Sequence, residues 1–263
     1  MKKLTYIWHD CFVFEDKTNI IVFDFWQDLI TTDDGIPFFI KNADKSKKLF
    51  VIVSHHHKDH FTNKIFEWEE MFFSITYIIS KDVARHARHI LRSDSIYSGK
   101  KPNPQNVIIL SPGEAYSSED FKIEAFRSTD IGNSYVVESG ETILFHAGDL
   151  NAWIWKDESS EKEILTSISK FNVILESIYE RFPSFDIAMF PVDPRIGTNY
   201  FEGARIFVRK FNIKHFFPMH FCLWENDREK LKFKFGATDF RNYANTARGE
   251  YIALTSPYDC MAF

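Results

Sequence analysis

The sequence predicts an α/β protein, on three observations. Short apolar, β-branched runs bounded by turn residues recur through the first half, helical periodicity enters later, and no low-complexity linker or repeat divides the chain. Leu4 to Trp8, Cys11 to Phe14, Asn19 to Phe25, Leu49 to Ser54, Ile75 to Ser80 and Val107 to Leu110 read as strands. Phe121 to Phe126, Ser134 to Val137 and Thr142 to Phe145 continue the series, with Ser139-Gly140 as the hairpin turn between the last two. Ile187 to Phe190 and Ile213 to Phe217 each stop at a proline, Pro191 and Pro218, which suits strand ends that run into loops. The clearest helix follows Asp157, where Ile164, Ile168, Phe171, Leu175, Ile178 and Phe182 share one face. Ser160 and Glu163 form its capping box and Pro183 stops it. Weaker helical patterns cover Asp82 to Ile96, Tyr200 to Phe211 and segments after Asp227. Residues 1–263 are read as one domain.

Composition excludes several classes. The 44% hydrophobic and 26% charged fractions are those of a globular chain, not of a disordered or fibrous one. Aromatic residues reach 17%, so flat side chains must fill much of the interior and line any pocket. A net charge of -5 disfavours nucleic acid as a partner. Cys11, Cys222 and Cys260 are odd in number and form no CxxC pair, so neither a disulfide framework nor a thiolate zinc site is expected. His9 and Asp10 interrupt the apolar run after Met1-Lys2-Lys3, and no small-residue cleavage site follows, so export is not expected. The apolar run from Met71 to Ser80 is half the length of a membrane helix. These readings give a cytoplasmic protein with no membrane partner.

The chemistry concentrates in Ser54-His55-His56-His57-Lys58-Asp59-His60, directly after an apolar run. It contains HxHxDH; with 10 His in 263 residues, roughly one chance match per thousand such chains is expected. In an extended segment His55 and His57 project from one side and can hold one metal together, while His56 points away. Asp59 and His60 lie just past the strand end, where the chain turns, and can reach a second ion. Imidazole nitrogens and carboxylate oxygens suit zinc, and also manganese or iron.

On this motif the chain resembles the metallo-β-lactamase superfamily, over essentially its whole length. The resemblance implies a four-layer αββα sandwich and further ligands: a histidine, an aspartate in a GD dipeptide bridging both metals, and a late histidine. Asp149, in Leu144-Phe145-His146-Ala147-Gly148-Asp149, matches the bridge, and His220, in Phe217-Pro218-Met219-His220, matches the last ligand. The HAGD strand and the proline-methionine-histidine end look most like the ascorbate-6-phosphate lactonase branch and its bacterial relatives. One ligand departs from the pattern, because no histidine lies between His89 and His146. Where the family supplies it, this chain has Arg127-Ser128-Thr129-Asp130-Ile131-Gly132, and Asp130 is the candidate replacement. His146, or one protein ligand fewer, is the alternative. With Asp59, Asp130 and Asp149 ionised, two divalent ions and a shared hydroxide are neutral overall, a more anionic set that favours manganese or ferrous iron over zinc.

The implied reaction is metal-assisted hydrolysis of a small-molecule ester, lactone, amide or phosphoester by a hydroxide shared between two divalent ions, with Asp59 orienting it and shuttling its proton. Further candidates for substrate contact are His9 between the first two strands, Trp153 soon after Asp149 (with Trp155 as a further pocket wall), and Arg195, which could equally serve in a structural ion pair. Asp24 is expected to hydrogen-bond a nearby loop. Two rival readings are a nuclease or phosphodiesterase sharing HxHxDH, and a metal-binding or sensing protein without turnover. A homo-oligomer is compatible with the sequence.

Overall fold

The structure, a computed structural model, describes residues 1–30, 32, 33, 35–92, 94–221 and 249–263. The helical segments expected after Asp227, and Cys222, lie outside the described residues. Two compact units emerge, Met1–Ser111 with Thr255–Phe263, and Pro112–Leu254.

The first unit is built on β1 (Lys3–Trp8), β2 (Cys11–Glu15), β3 (Asn19–Phe23), β4 (Lys48–Val53), β5 (Ile75–Ser80), β6 (Val107–Leu110) and the last strand β14 (Cys260–Ala262). They form one sheet in the order β14-β1-β2-β3-β4-β5-β6. Pairing is antiparallel from β14 to β3 and parallel from β3 to β6. Helices α1 (Phe38–Asn42), α2 (Lys81–His86) and α3 (Arg88–Leu91) and a 3₁₀ segment (Asn63–Met71) lie between the strands in sequence. Alternate residues Val13, Val22, Val51, Val53, Tyr77 and Ile79 pack with Ile40, Ile65, Trp68, Val83 and Ile90 of these helices. The intervening Phe12, Phe14, Ile21, Phe23, Ile52 and Ile78 are buried as well. A sheet buried on both faces gives continuous apolar runs rather than alternation, which is why its strands were so legible.

The second unit repeats the scheme with β7 (Ala115–Ser118), β8 (Phe121–Arg127), β9 (Asn133–Ser139), β10 (Thr142–His146), β11 (Ser184–Pro191), β12 (Asn212–Met219) and β13 (Glu250–Tyr251). Its order is β13-β12-β11-β10-β9-β8-β7, antiparallel from β7 to β10 and parallel from β10 to β13. Helix α4 (Glu161–Tyr179) starts at the expected capping box and buries Phe171, Ile174, Leu175 and Ile178. Helix α5 (Glu202–Lys210) lays Phe207 against Phe145, Phe185 and Phe190, with ring centroids 5.1, 6.2 and 4.5 Å apart and planes within 23° of parallel. Four of the 28 phenylalanines meet in this stack.

Two mixed sheets with helices realise the α/β class of the metallo-β-lactamase fold. Several boundaries differ from the sequence reading. The helix expected over Asp82 to Ile96 is two short ones, because Ala87 leaves α geometry (ψ 10°) and Arg92 turns extended. β3 stops at Phe23, since Asp24 adopts a left-handed φ of 44°. β11 and β12 run through their prolines, which occupy the last rungs, Phe190 with Pro218 and Pro191 with Met219. β7, β13 and β14, of four, two and three residues, are too short to show a period and exist as strands by pairing at sheet edges.

Candidate metal centre

In the first unit the donors gather where β1, β3 and β4 end. Asp24, one residue past β3, is 1% exposed and organises the group. Its Oδ1 accepts from the Ser54 amide at 2.7 Å, and its Oδ2 accepts from the Ser54 hydroxyl at 2.6 Å and lies 2.8 Å from Nδ1 of His60. An ionised carboxylate only accepts, so Nδ1 of His60 carries the proton and Nε2 keeps its lone pair. The same logic runs through Ser54. Its hydroxyl donates to Asp24 and therefore accepts from Nδ1 of His55, 3.0 Å away, leaving Nε2 of His55 as a donor atom for a metal. That nitrogen is 2.9 Å from Nδ1 of His57. His56 turns away as expected: its amide donates to Asp82 at 2.9 Å and its ring stacks on His86.

The β1–β2 turn supplies more. His9 has a left-handed φ of 59°, donates its amide to the Tyr6 hydroxyl, and brings Nε2 3.6 Å from Asp59 and 3.2 Å from Asp10. Asp10 also stands 3.2 Å from Nε2 of His60, and both residues are fully buried. Asp10 was not singled out from the sequence. The one available signal was a charged pair set between two apolar strands.

In the second unit the donors follow β8, β10 and β12. Gly148, with φ 51°, turns the chain so that Asp149 leaves β10 sideways. The loop carrying Asp130 is tied to it: the Thr129 hydroxyl donates to the Asn151 carbonyl at 2.6 Å and accepts from the Asn151 amide at 3.0 Å. Asp130 and Asp149 offer carboxylate oxygens within 4.8 Å of each other. His146, the alternative ligand, instead accepts a 3.2 Å bond at Nδ1 from the Gly148 amide.

His220, left-handed at φ 64°, places Nε2 3.2 Å from Asp149 and Nδ1 2.9 Å from Asp193. Asp193 is gripped by the Arg195 guanidinium at 2.6 to 2.9 Å. Arg195 Nη2 is also 3.1 Å from Nδ1 of His220, but a guanidinium has no lone pair to offer. The proton on Nδ1 therefore goes to Asp193. Burial raises the pKa of this carboxyl, yet the hydrogen bond from His220 and the hydrogen bonds and charge of the Arg195 guanidinium outweigh it and hold Asp193 well below the carboxylate range. Arg195 is thus engaged in the structural ion pair weighed from the sequence. Trp153 donates its indole N–H to the Asp149 carbonyl at 2.9 Å and sets its ring edge-on to His220. Trp155 is 37% exposed.

The donor spacing tests whether these residues suit a metal. Bonds of about 2.0 to 2.1 Å place neighbouring ligand atoms about 2.9 Å apart at a right angle and about 3.4 Å apart at the tetrahedral angle. The 2.9 Å between His55 and His57 and the 3.2 Å between Asp149 and His220 fall in that range. In each unit, moreover, a buried carboxylate fixes Nδ1 of a histidine and leaves Nε2 as donor. Four of the six left-handed non-glycine residues among the described ones, His9, Asp24, Trp153 and His220, belong to these groups.

Comparison with known proteins identifies the fold and the family. No curated protein matches the chain. Among solved structures, a metallo hydrolase of the hyperthermophilic archaeon Ignicoccus hospitalis is 17% identical with a TM-score of 0.62, covering 100% of this chain and 99% of its own. CmlA, a diiron β-hydroxylase of Streptomyces venezuelae, is 10% identical with a TM-score of 0.63, and this chain covers 54% of its length. The metallo-β-lactamase fold protein YhfI of Bacillus subtilis is 11% identical with a TM-score of 0.58 over the full length of both. A family profile described as the Beta-lactamase superfamily domain matches residues 3–166, more than half of the sequence, and the chain belongs to that superfamily.

Proposed function

We propose that the protein is a metal-dependent hydrolase of a small-molecule ester, lactone, amide or phosphoester, its two units acting as one cytoplasmic domain. His55, His57, Asp59, His60, Asp130, Asp149 and His220 are the ligands in this reading. The observation that carries it is the paired buried relays, Asp24 to His60 and Asp193 to His220, which present imidazole Nε2 atoms as donors. Two divalent ions, when bound, lower the pKa of water and polarise a substrate oxygen. Asp59, with His9 Nε2 beside it, holds and passes the proton released from that water. His9 and Trp153 face the substrate, and Arg195 keeps Asp193 ionised and in place. The HAGD strand and the proline-methionine-histidine end support placement in the ascorbate-6-phosphate lactonase-like branch.

The test is a panel of lactones, phosphate esters and amides assayed with zinc, manganese and ferrous iron. Metal-dependent turnover abolished by His57→Ala is expected, and absence of turnover with every metal would overturn the reading. Binding of single-stranded RNA at low salt would favour the nuclease instead.

A second reading, oxidative chemistry at iron, is favoured by one observation. Asp130 adds a carboxylate near Asp149, a harder donor set than histidine would give, and a diiron β-hydroxylase is among the proteins of similar fold. Dioxygen uptake by iron-loaded protein, without hydrolysis of the panel, would select it.

A further inference from the structure

We propose that a cavity in the first unit seats a flat apolar group of the substrate, which makes the substrate class aryl, or similarly planar, esters, amides or phosphoesters. This rests on the hydrolase reading above. The cavity lies between the β3–α1 connection and the 3₁₀ segment Asn63–Met71, and has a volume of about 440 Å³. That size suits a small-molecule group rather than a peptide.

Its walls are aromatic and interlocked. Phe25 meets Trp68 at 4.9 Å between centroids in an edge-on contact, and Phe39 braces both rings, 5.6 Å from Phe25 and 5.8 Å from Trp68. Trp26, Ile36 and Met71 complete the apolar lining. Edge-on contacts of Trp68 with Phe25 and Phe39 fix these rings in place. Among the described residues of the lining, the one buried charge is Asp28, which is committed to the protein: it accepts from the Ile30 and Phe38 amides at 2.9 and 3.0 Å and from the Tyr258 hydroxyl at 2.5 Å. The other charges, Lys64 and Glu67, are exposed at the rim and of opposite sign. Gln27 and Thr62 add polar groups to the lining, so the interior sets aromatic and aliphatic surface beside a polar edge and suits a flat group that carries a polar substituent.

Two connections link the cavity to the donors. Phe25 and Trp26 directly follow Asp24, the carboxylate that sets His60. The Trp26 ring stands edge-on to His9 at 6.4 Å, and His9 reaches within 3.6 Å of Asp59. A group held against Trp26 is one ring away from the proposed proton carrier. Binding energy from such a remote group can be used to orient the reacting bond.

The experiment is a titration of full-length, EDTA-treated, ¹⁵N-labelled protein with 1-naphthol, followed on the indole N–H signals. Saturable shifts at Trp26 and Trp68 are expected, with affinity at least fivefold weaker in Trp26→Ala and in Ile36→Trp, which narrows the cavity from the opposite wall. Isobutanol should bind at least tenfold more weakly than 1-naphthol. No saturable binding, shifts confined to Trp153 and Trp155, or undiminished binding in both variants would overturn the proposal. Metal-dependent hydrolysis of alkyl esters without naphthol binding would sink the cavity and spare the hydrolase reading. Naphthol binding by protein that takes up no zinc, manganese or iron when these are resupplied after the EDTA is removed would keep the cavity as a ligand site and sink that reading.

Discussion

Oδ2 of Asp24 lies 2.8 Å from Nδ1 of His60 and 2.6 Å from the Ser54 hydroxyl, so a single carboxylate sets the tautomers of both His60 and His55. Asp24→Asn presents an amide where the acceptor stood and frees His60 to carry its proton on Nε2. Metal affinity should fall about 10- to 100-fold. Competition with a colorimetric chelator measures it, and affinity equal to that of the unaltered protein would refute the relay.

Asp130 is exposed, so replacing it should leave stability within about 0.5 kcal/mol. Its effect should appear in metal choice. Asp130→His removes an anionic donor and should shift retained metal from manganese or iron towards zinc when all three are supplied in equal excess. Elemental analysis reads the ratio; an unchanged ratio would remove Asp130 from the ligand set.

Gly203 of α5 packs against the loop that carries Asp149. A Cβ there would fall 1.7 Å from Oδ1 of Asn151, a side chain with 1% exposure. Gly203→Ala gains about 1 kcal/mol of helix propensity, but overpacking of about 1 to 3 kcal/mol should exceed it. Thermal unfolding should show a lower Tm, by about 2 to 4 °C per kcal/mol lost. A raised Tm would mean that Asn151 moves aside freely.

Burial raises the Asp28 carboxyl above its ordinary 3.8, although hydrogen bonds from Tyr258, Ile30 and Phe38 pull the other way. A raised carboxyl binds its proton more tightly folded than unfolded. Stability from this group is therefore greatest at acid pH and declines as pH rises from about 3.8 through the folded value. Denaturant melts of the protein and of Asp28→Asn at pH 4 to 7 should show the difference between them moving in favour of Asp28 as pH falls. A difference moving the other way would contradict the assignment.

Residues whose role depends on local pattern were legible in the sequence. The capping box Ser160-Glu163 opens α4, the apolar runs became strands, and HxHxDH turns His55 and His57 to one side while His56 leaves for Asp82. Residues whose role depends on distant partners were not. Asp10 is buried by the β1–β2 turn and meets His60, fifty residues on, and no spacing rule joins them. Arg195 advertised anion binding by type, but Asp193 two residues earlier already occupies its guanidinium. The edge strands β7, β13 and β14 run for only four, two and three residues, too few to show a period, and are defined by hydrogen bonding to a neighbour, which no single segment encodes.

The central claim is that the HxHxDH donors, Asp130, Asp149 and His220 bind two divalent ions. Anomalous diffraction from crystals of metal-loaded protein, collected at the zinc, manganese and iron edges, tests it most directly. Anomalous peaks are predicted at the donor atoms of each unit: His55 Nε2, His57 Nδ1 and His60 Nε2 in the first, and the Asp149 carboxylate and His220 Nε2 in the second. Crystals without a peak at any of these atoms, from protein soaked in excess metal, would contradict the account.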